Sequence, residues 1–448
     1  MQNKKLNPKN NYINQYIIMS PIQIYDIIIV GSGIAGLYSA YNIKKTSPKT
    51  KFLVLEKYRK KWIGGRTNNE TFHGTQIVTG AGIGREDTNP LLIKLLHQLH
   101  VPYKKSISIM DYSKLLPNHF EIDIVKIIDH LKKEYNKNPD KYKKLTFKEF
   151  AIRILGDQNY RLFAIYAGYT DYENADIYET LYNYGMDDNQ GGWTKIYIPW
   201  KELIHKLCLF IDYTRIKHSN NVVSITNVNK EIIGQPCLFE IKTKEGNLYY
   251  CNKVIVATTI SGIKQLVPCA SKPNSIYQQI HGQPFLRLYA KFDKKSSKIM
   301  ETYAPHYTIV PGPLQKIIPI SSEKGVYMIA YSDNSNAEIL KNYLENTLKN
   351  RRLYEELIEK SLGIPSNSLK ILDLKDFYWS IGTHYYEPLY GPYKNRREFI
   401  HEAQHPMDGM LVVGEVVSNY QGWCEGALES VRDVLDKKWI ETLCFSEK

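Results

Sequence analysis

Six cysteines are scattered through 448 residues (Cys208, Cys237, Cys251, Cys269, Cys424 and Cys444), with no CxxC and no paired short spacing. A disulfide framework is thereby excluded, no metal site is expected, and the thiols read as reduced, in a cytoplasmic setting. No apolar run approaches the ~18 residues of a membrane span. The first 24 residues are polar, rich in Lys and Asn, and lack the apolar core of a signal peptide, so they read as a flexible N-terminal extension. The net charge of +13 comes with no zinc knuckle, no RNA-binding aromatic motif and no dense arginine cluster. Its lysines are spread along the whole chain, so nucleic acid is not an expected partner. Internal repeats and low-complexity linkers are absent too, which leaves no clean boundary although the length calls for two domains.

What the chain does have is a stretch from Tyr25 to Arg66 built as strand, glycine turn, helix and strand. Gly31, Gly33 and Gly36 stand at GxGxxG spacing directly after the apolar run Ile27 to Val30. Such a turn brings backbone N–H groups and a helix N-terminus up to a pyrophosphate. Glu56 follows Gly36 by 20 residues at the end of the second apolar run, where a carboxylate accepts from ribose hydroxyls. Gly64, Gly65 and Arg66 come next.

Farther along, apolar residues three and four apart predict amphipathic helices at Ile124 to Tyr135 and Phe147 to Leu155. Strand signals return at Val222 to Val228, at Val254 to Ala257 with a second strand-to-helix crossing at Thr258 to Ile260, and at Phe285 to Asp293. A hairpin turning at Lys324-Gly325 follows, then helical text from Ala337 to Leu362. Met410 to Val413 reads as a strand that runs through Gly414-Glu415 toward a helix beginning near Gly426. Nucleotide-type signals therefore sit at both ends of the chain.

GGR after Glu56, together with the closing text GEVVSNYQGWCEGALES, resembles the flavin-containing amine oxidase family of monoamine, polyamine and L-amino-acid oxidases. The resemblance covers nearly all of the chain after Tyr25, the middle by organisation only. It implies an α/β fold in which a Rossmann-like FAD-binding domain (25–100, 215–284 and 371–448) is interleaved with an α+β substrate domain (101–214 and 285–370) of helices on an antiparallel sheet. Carried over by position, Gly31, Ser32, Gly33 and Gly36 meet the pyrophosphate and Glu56 the adenosine ribose. Gly65 and Arg66 lie beside pyrophosphate and flavin. Val223 is the hairpin valine whose backbone holds adenine, and Gly414 and Glu415 lie near the ribityl and phosphate groups. The helix end around Ala427 offers its positive pole to the flavin. Covalent attachment in some members uses a cysteine shortly before the C-terminal signature. Trp379 to Met410 contains none, so the FAD is expected to be non-covalent.

The implied activity is oxidation of the C–N bond of a primary or secondary amine, or of an amino acid, to an imine with O2 as acceptor. The alternatives are a flavin dehydrogenase or desaturase using another acceptor, and an FAD-binding structural protein with little turnover; a homodimer is compatible with the family. Two aromatic walls flank the substrate in the family: Trp423 matches one, and Tyr385 is the choice for the other, with His384 and Tyr386 as neighbours. Many members carry a lysine on the strand that here reads FLRLYAKFD, and the register puts Arg287 there, with Lys291 on the same face by strand alternation. Arginine is permanently charged and cannot act as a tunable base. Arg85 could bind a substrate carboxylate, and Glu86 and Asp87 could draw in a second amino group.

Overall fold

The computed structural model describes residues 22–116, 122–184 and 191–444, so the expected N-terminal extension lies almost wholly outside the described residues. The first strand, Gln23–Val30, is the middle of a seven-stranded sheet. It pairs in parallel with Phe52–Leu55 on one side and Leu248–Val256 on the other. Met410–Val412 adds to the second half of Leu248–Val256 in parallel, while the antiparallel strands Val222–Ile232 and Gln235–Thr243 extend from its first half. Both faces of the parallel part are covered, which is why its strands are apolar without alternation. Ile27, Ile29 and Val54 point to one core with the helices Ile34–Thr46, Trp200–Ile211 and Cys424–Val434. Ile28, Val30, Leu53 and Leu55 point to another with the helices Ile260–Leu266 and Arg396–Gln404.

The second sheet has six strands and is built on two long antiparallel strands, Ile280–Phe292 and Ile371–Tyr386. Val326–Asp333, Lys316–Ser321, Tyr307–Ile309 and Met110–Tyr112 complete it. The expected domain limits at 284/285 and 370/371 fall inside the first long strand and at the start of the second, so the chain passes between the two halves within continuous ladders. The hairpin turns at Gly325, whose φ of +63° suits glycine. Leu286, Leu288 and Ala290 face a core shared with the helices Lys294–Tyr303, Asn334–Leu340 and Leu348–Leu362. Arg287 and Tyr289, one residue out of phase, face the other way.

A helical cluster, Ile124–Lys137, Phe147–Leu155 and Asp157–Ala167, packs its own core of Phe147, Phe150, Phe163 and Tyr172. Thr146 and Glu149 form a reciprocal capping box at the second of these helices. Among the described residues no helix is long and apolar enough to cross a membrane.

Candidate functional site

The glycine turn separates into two structural glycines and one open one. Gly31 holds φ +106°, and a Cβ there would overlap the Ala257 carbonyl; a Cβ on Gly36 would overlap the Gly31 carbonyl. These two let the helix close onto the sheet. Gly33, the residue that begins the helix Ile34–Thr46, has nothing within 4 Å of where a Cβ would stand. No side chain caps that helix and no acid occupies its first turn, so its positive end faces open space. The Gly64-Gly65 loop borders that space: Gly64 N–H donates to the Ser32 carbonyl at 2.8 Å, and a Cβ on Gly65 would stand 3.7 Å from Gly33 Cα. This cradle fits a pyrophosphate.

Glu56 is buried beside it. Its Oε2 accepts from Ser32 N–H at 2.8 Å and Ser32 Oγ at 2.7 Å, and its Oε1 accepts from Tyr58 N–H at 2.9 Å. Each oxygen keeps further acceptor capacity. Its backbone carbonyl takes the Asn220 N–H, which ties the start of the Val222–Ile232 hairpin to this corner. A register shift between Val222 and Ser224 leaves Val223, 37% exposed, without a cross-strand partner.

Arg66 reaches across to the C-terminal signature. Its Nη1 donates to the Gly382 carbonyl at 2.6 Å and to Glu415 Oε1 at 2.8 Å. The same Oε1 lies 2.6 Å from His384 Nδ1, and Gly422 N–H donates to Oε2. Burial opposes ionisation of Glu415, but His384, Arg66 and the Gly422 amide outweigh it and hold the carboxyl down at about 2. The backbone N–H of Ile260 donates to His384 Nε2 at 3.1 Å, so that nitrogen is the acceptor and Nδ1 carries the proton toward Glu415.

At the signature helix, Gly414 holds φ +126° and its N–H donates to Ser430 Oγ at 2.8 Å. The helix starts at Cys424, two residues before the expected position, and Ala427 is buried in its first turn. Trp423 Nε1 donates to Asn89 Oδ1 at 3.1 Å, and its ring meets Trp200 edge-on at 6.1 Å. Trp200 in turn donates to the Gly82 carbonyl. Tyr385 stacks on His281 at 5.2 Å. Trp423 and Tyr385 are not in ring contact. Thr383, on Tyr385's face of the strand, lies between the segments, 3.6 Å from where a Gly422 Cβ would stand. His384 is taken by Glu415, and Tyr386 is buried with its hydroxyl donating to Ser418.

Arg287 is 7% exposed, with Cζ 4.1 Å from the centre of the Tyr331 ring and Nη1 3.7 Å from Met328 Sδ. It faces Gly82, where a Cβ would stand 3.1 Å from Nη2. Lys291 does not substitute for it: its Nζ binds the Lys324 carbonyl at the exposed end of the strand. Arg85 pairs with Asp87 at 3.3 Å and lies over Trp193, while Glu86 binds Lys105.

Two further features complete the site. The loop Gly80 to Gly84, which the alternation and glycines of the sequence place close to the nucleotide unit, threads between the two arginines, with Ala81 N–H on the Arg66 carbonyl at 2.7 Å and Gly82 under Arg287. Behind Arg287 lies a buried polar cluster of Asp171, Asp333 and Lys316. Thr170 and Gln315 donate to Asp333; Tyr184 and Thr383 donate to Asp171. Burial and the neighbouring Asp333 push Asp171 up to about 7. Lys316 Nζ lies over the Tyr169 ring and 4.4 Å from the centre of Tyr331. No sequence signal marks this cluster.

Residues 29–99 match the model of the NAD(P)-binding Rossmann-like domain. An uncharacterized protein of Acanthamoeba polyphaga mimivirus, R188, is 40% identical over 57 residues, a match that spans 11% of that relative. Among solved structures, a putrescine oxidase variant redesigned at its cofactor binding superposes with a TM-score of 0.69 at 13% identity, covering 92% of this chain and 98% of that one. Cyclohexylamine oxidase from Brevibacterium oxydans IH-35A gives 0.70 at 14% identity, covering 91% and 97%. The chain therefore has the mixed α/β fold of these amine oxidases, with a Rossmann-like domain.

Proposed function

We propose that this protein is an FAD-dependent oxidoreductase that oxidises the C–N bond of a primary or secondary amine, or of an amino acid, to an imine, with O2 as acceptor and FAD held non-covalently. The observation that carries the reading is the convergence of three distant segments on one site. The open helix end at Gly33, the Gly64 to Arg66 loop packed on it, and the signature residue Glu415 bonded to Arg66 at 2.8 Å form one continuous cradle. A mononucleotide would not need the third segment. The likeness to putrescine oxidase and cyclohexylamine oxidase along nearly their whole length supports the same reading.

Bound FAD supplies the two-electron acceptor for the carbon beside a neutral amine. The chain's own residues hold and surround it. Gly33 and Gly65 border the pyrophosphate, in a turn that Gly31, Ser32 and Gly36 shape, Glu56 meets the ribose, and the backbone of Val223, at the strand irregularity, meets the adenine. Glu415 fixes Arg66 in place, so that the guanidinium presents its remaining donors to phosphate without the entropy cost of a free side chain. Gly414 and Ala427 bring the positive end of the signature helix to the flavin. Trp423 and Tyr385 wall the substrate, and an apolar wall disfavours the ammonium form and so favours the reactive neutral amine.

Purified protein reconstituted with FAD is expected to turn yellow, to release its flavin on denaturation, and to bleach anaerobically with an amine or amino acid. A flavin that stays oxidised with every compound would leave a binding scaffold. Arg287 in place of a lysine favours a second reading, a dehydrogenase that passes electrons to an acceptor other than O2; bleaching without peroxide release under air would select it. The six cysteines are free thiols, in keeping with a cytoplasmic location.

A further inference from the structure

A cavity of about 960 Å³ lies on the far side of the Gly64 loop from the cofactor cradle, and neither Trp423, Tyr385 nor Arg287 lines it. Ile204 sets the boundary: it lines the cavity and packs on Gly64, where a Cβ would stand 2.9 Å from its Cγ1. The inner wall is apolar. Ile63, Val78, Ile198 and Ile204 are joined there by Ile83 and Tyr197, which are 38% and 43% exposed. Large apolar side chains left in water around a concavity of this size mark a ligand site.

The rim is cationic. Lys60, Lys61, Lys104 and Lys201 line it and are exposed, against a single lining acid, Glu202. Among the described residues none of the four lysines pairs with a carboxylate. Lys60 and Lys61 lie over the Tyr213 and Trp62 rings, each 5.3 Å from the centre, so their stems cover apolar surface while the heads stay in water. Pro199, Lys201 and Glu202 bring the first turn of the helix Trp200–Ile211 to the same rim, which adds the positive end of that helix.

An apolar wall under a cationic rim complements an alkyl chain with an anionic head. Nothing else in the chain supplies that charge. A second copy brings a net charge of +13, and residues 1–21 carry Lys4, Lys5 and Lys9 with no acid. We infer that this cavity binds a fatty acid or another single-chain carboxylate, with the chain against Ile63, Ile83, Ile198 and Tyr197 and the head between Lys104 and Lys201. Lys104 pairs with Tyr197 across the strands, so head and chain contacts are adjacent. The inference does not depend on the proposed reaction.

The test is calorimetric titration of the full-length protein, with FAD added, by laurate, by its uncharged counterpart dodecanol and by the cation dodecyltrimethylammonium. Laurate is expected to bind roughly 10-fold tighter than dodecanol, the scale of two or three exposed ion pairs, and the cation weakest. Lys104→Glu together with Lys201→Glu should lower laurate affinity by at least that factor and leave dodecanol unchanged. Tyr197→Ala removes wall and not charge, and should weaken both ligands alike. Melting temperature shows whether each variant is folded, and Lys201→Gln alone, expected to weaken laurate about 3-fold, decides if the double variant is not. Absence of laurate binding, or laurate binding unchanged by the lysine substitutions, overturns the inference. So does hexaglutamate bound as tightly as laurate, since the lysines would then act without the wall. Flotation with phosphatidylserine vesicles without binding of free laurate overturns it as well, and makes this face a membrane contact. A protein that takes up no FAD is titrated flavin-free, so the result stands apart from the amine-oxidising reading.

Discussion

His384 Nδ1 lies 2.6 Å from Glu415 Oε1, and its other ring nitrogen accepts the Ile260 backbone N–H. A histidine held by a backbone donor on one side and a carboxylate on the other has its tautomer fixed, and it ties the crossing at Thr258 to Ile260 to the C-terminal signature.

The first prediction concerns Glu415. Its folded carboxyl sits at about 2 against an ordinary 4.5. A depressed carboxyl contributes stability that is fully present above the ordinary value and is lost as pH falls through the folded one. Glu415→Gln is expected to cost about 3 kcal/mol at neutral pH, the scale for breaking a buried pair from one side. In chemical denaturation the gap between wild type and variant should be flat above pH 4.5 and narrow as pH falls from there toward 2.

Asp171 runs in the opposite direction. Burial and Asp333 raise it to about 7 from an ordinary 3.8. A raised carboxyl contributes stability that is full below the ordinary value and is lost as pH rises through the folded one. Between pH 4 and 7 the melting temperature of wild type is expected to decline relative to Asp171→Asn, which has no proton to lose there. Parallel curves in differential scanning fluorimetry would contradict the assignment.

The glycine turn yields a prediction that separates fold from ligand. Gly31→Ala and Gly36→Ala force a Cβ into the Ala257 and Gly31 carbonyls, and each is expected to cost about 1–3 kcal/mol as an overpacked site. Gly33 has ordinary φ of −65° and open space, so Gly33→Ala should leave the stability of the FAD-free protein within about 0.5 kcal/mol. Its methyl would enter the pyrophosphate cradle, and FAD affinity is expected to fall. Denaturation of the FAD-free protein and FAD titration measure the two effects apart.

The contrast among these sites shows what a sequence can carry. The Gly31 to Glu56 unit was legible because strand, turn and helix signals follow one another within a few tens of residues. The hairpin at Gly325 and the register of Arg287 were legible for the same reason: alternation is a local property. Illegible were relations that only the tertiary fold creates. Asp171 and Asp333 meet through Thr170 and Thr383, residues from three separate segments, and each looks in sequence like any surface acid. Glu56 could be placed, but its engagement by Ser32 could not. The short antiparallel sheet of Gly84–Arg85, Thr194–Tyr197 and Lys104–Ile107 escaped because its strands are brief and far apart. The face that Arg287 occupies followed from alternation, whereas its lack of a carboxylate partner among the described residues needed the surroundings.

Glu425 supplies the last prediction. It sits in the first turn of the signature helix, yet its carboxylate leaves that helix and caps another: Leu91 N–H donates to Oε1 at 2.7 Å and Leu92 N–H to Oε2 at 3.0 Å. The helix Pro90–Gln98 has no cap from its own Asn89, whose Oδ1 instead takes Arg85 N–H and Trp423 Nε1. Glu425 thus replaces the missing cap, and Asn89 is freed to hold Trp423. Glu425→Ala is expected to cost about 2 kcal/mol, the upper range for a lost cap, because one buried and one part-buried amide lose their acceptor together. Glu425→Gln retains one good acceptor and should recover about half. Since Asn89 moves with the helix end, Trp423 loses its anchor in Glu425→Ala, and its fluorescence in the FAD-free protein is expected to shift toward that of a more hydrated indole. A stability loss with unchanged tryptophan emission would show that the cap and the Trp423 wall are independent.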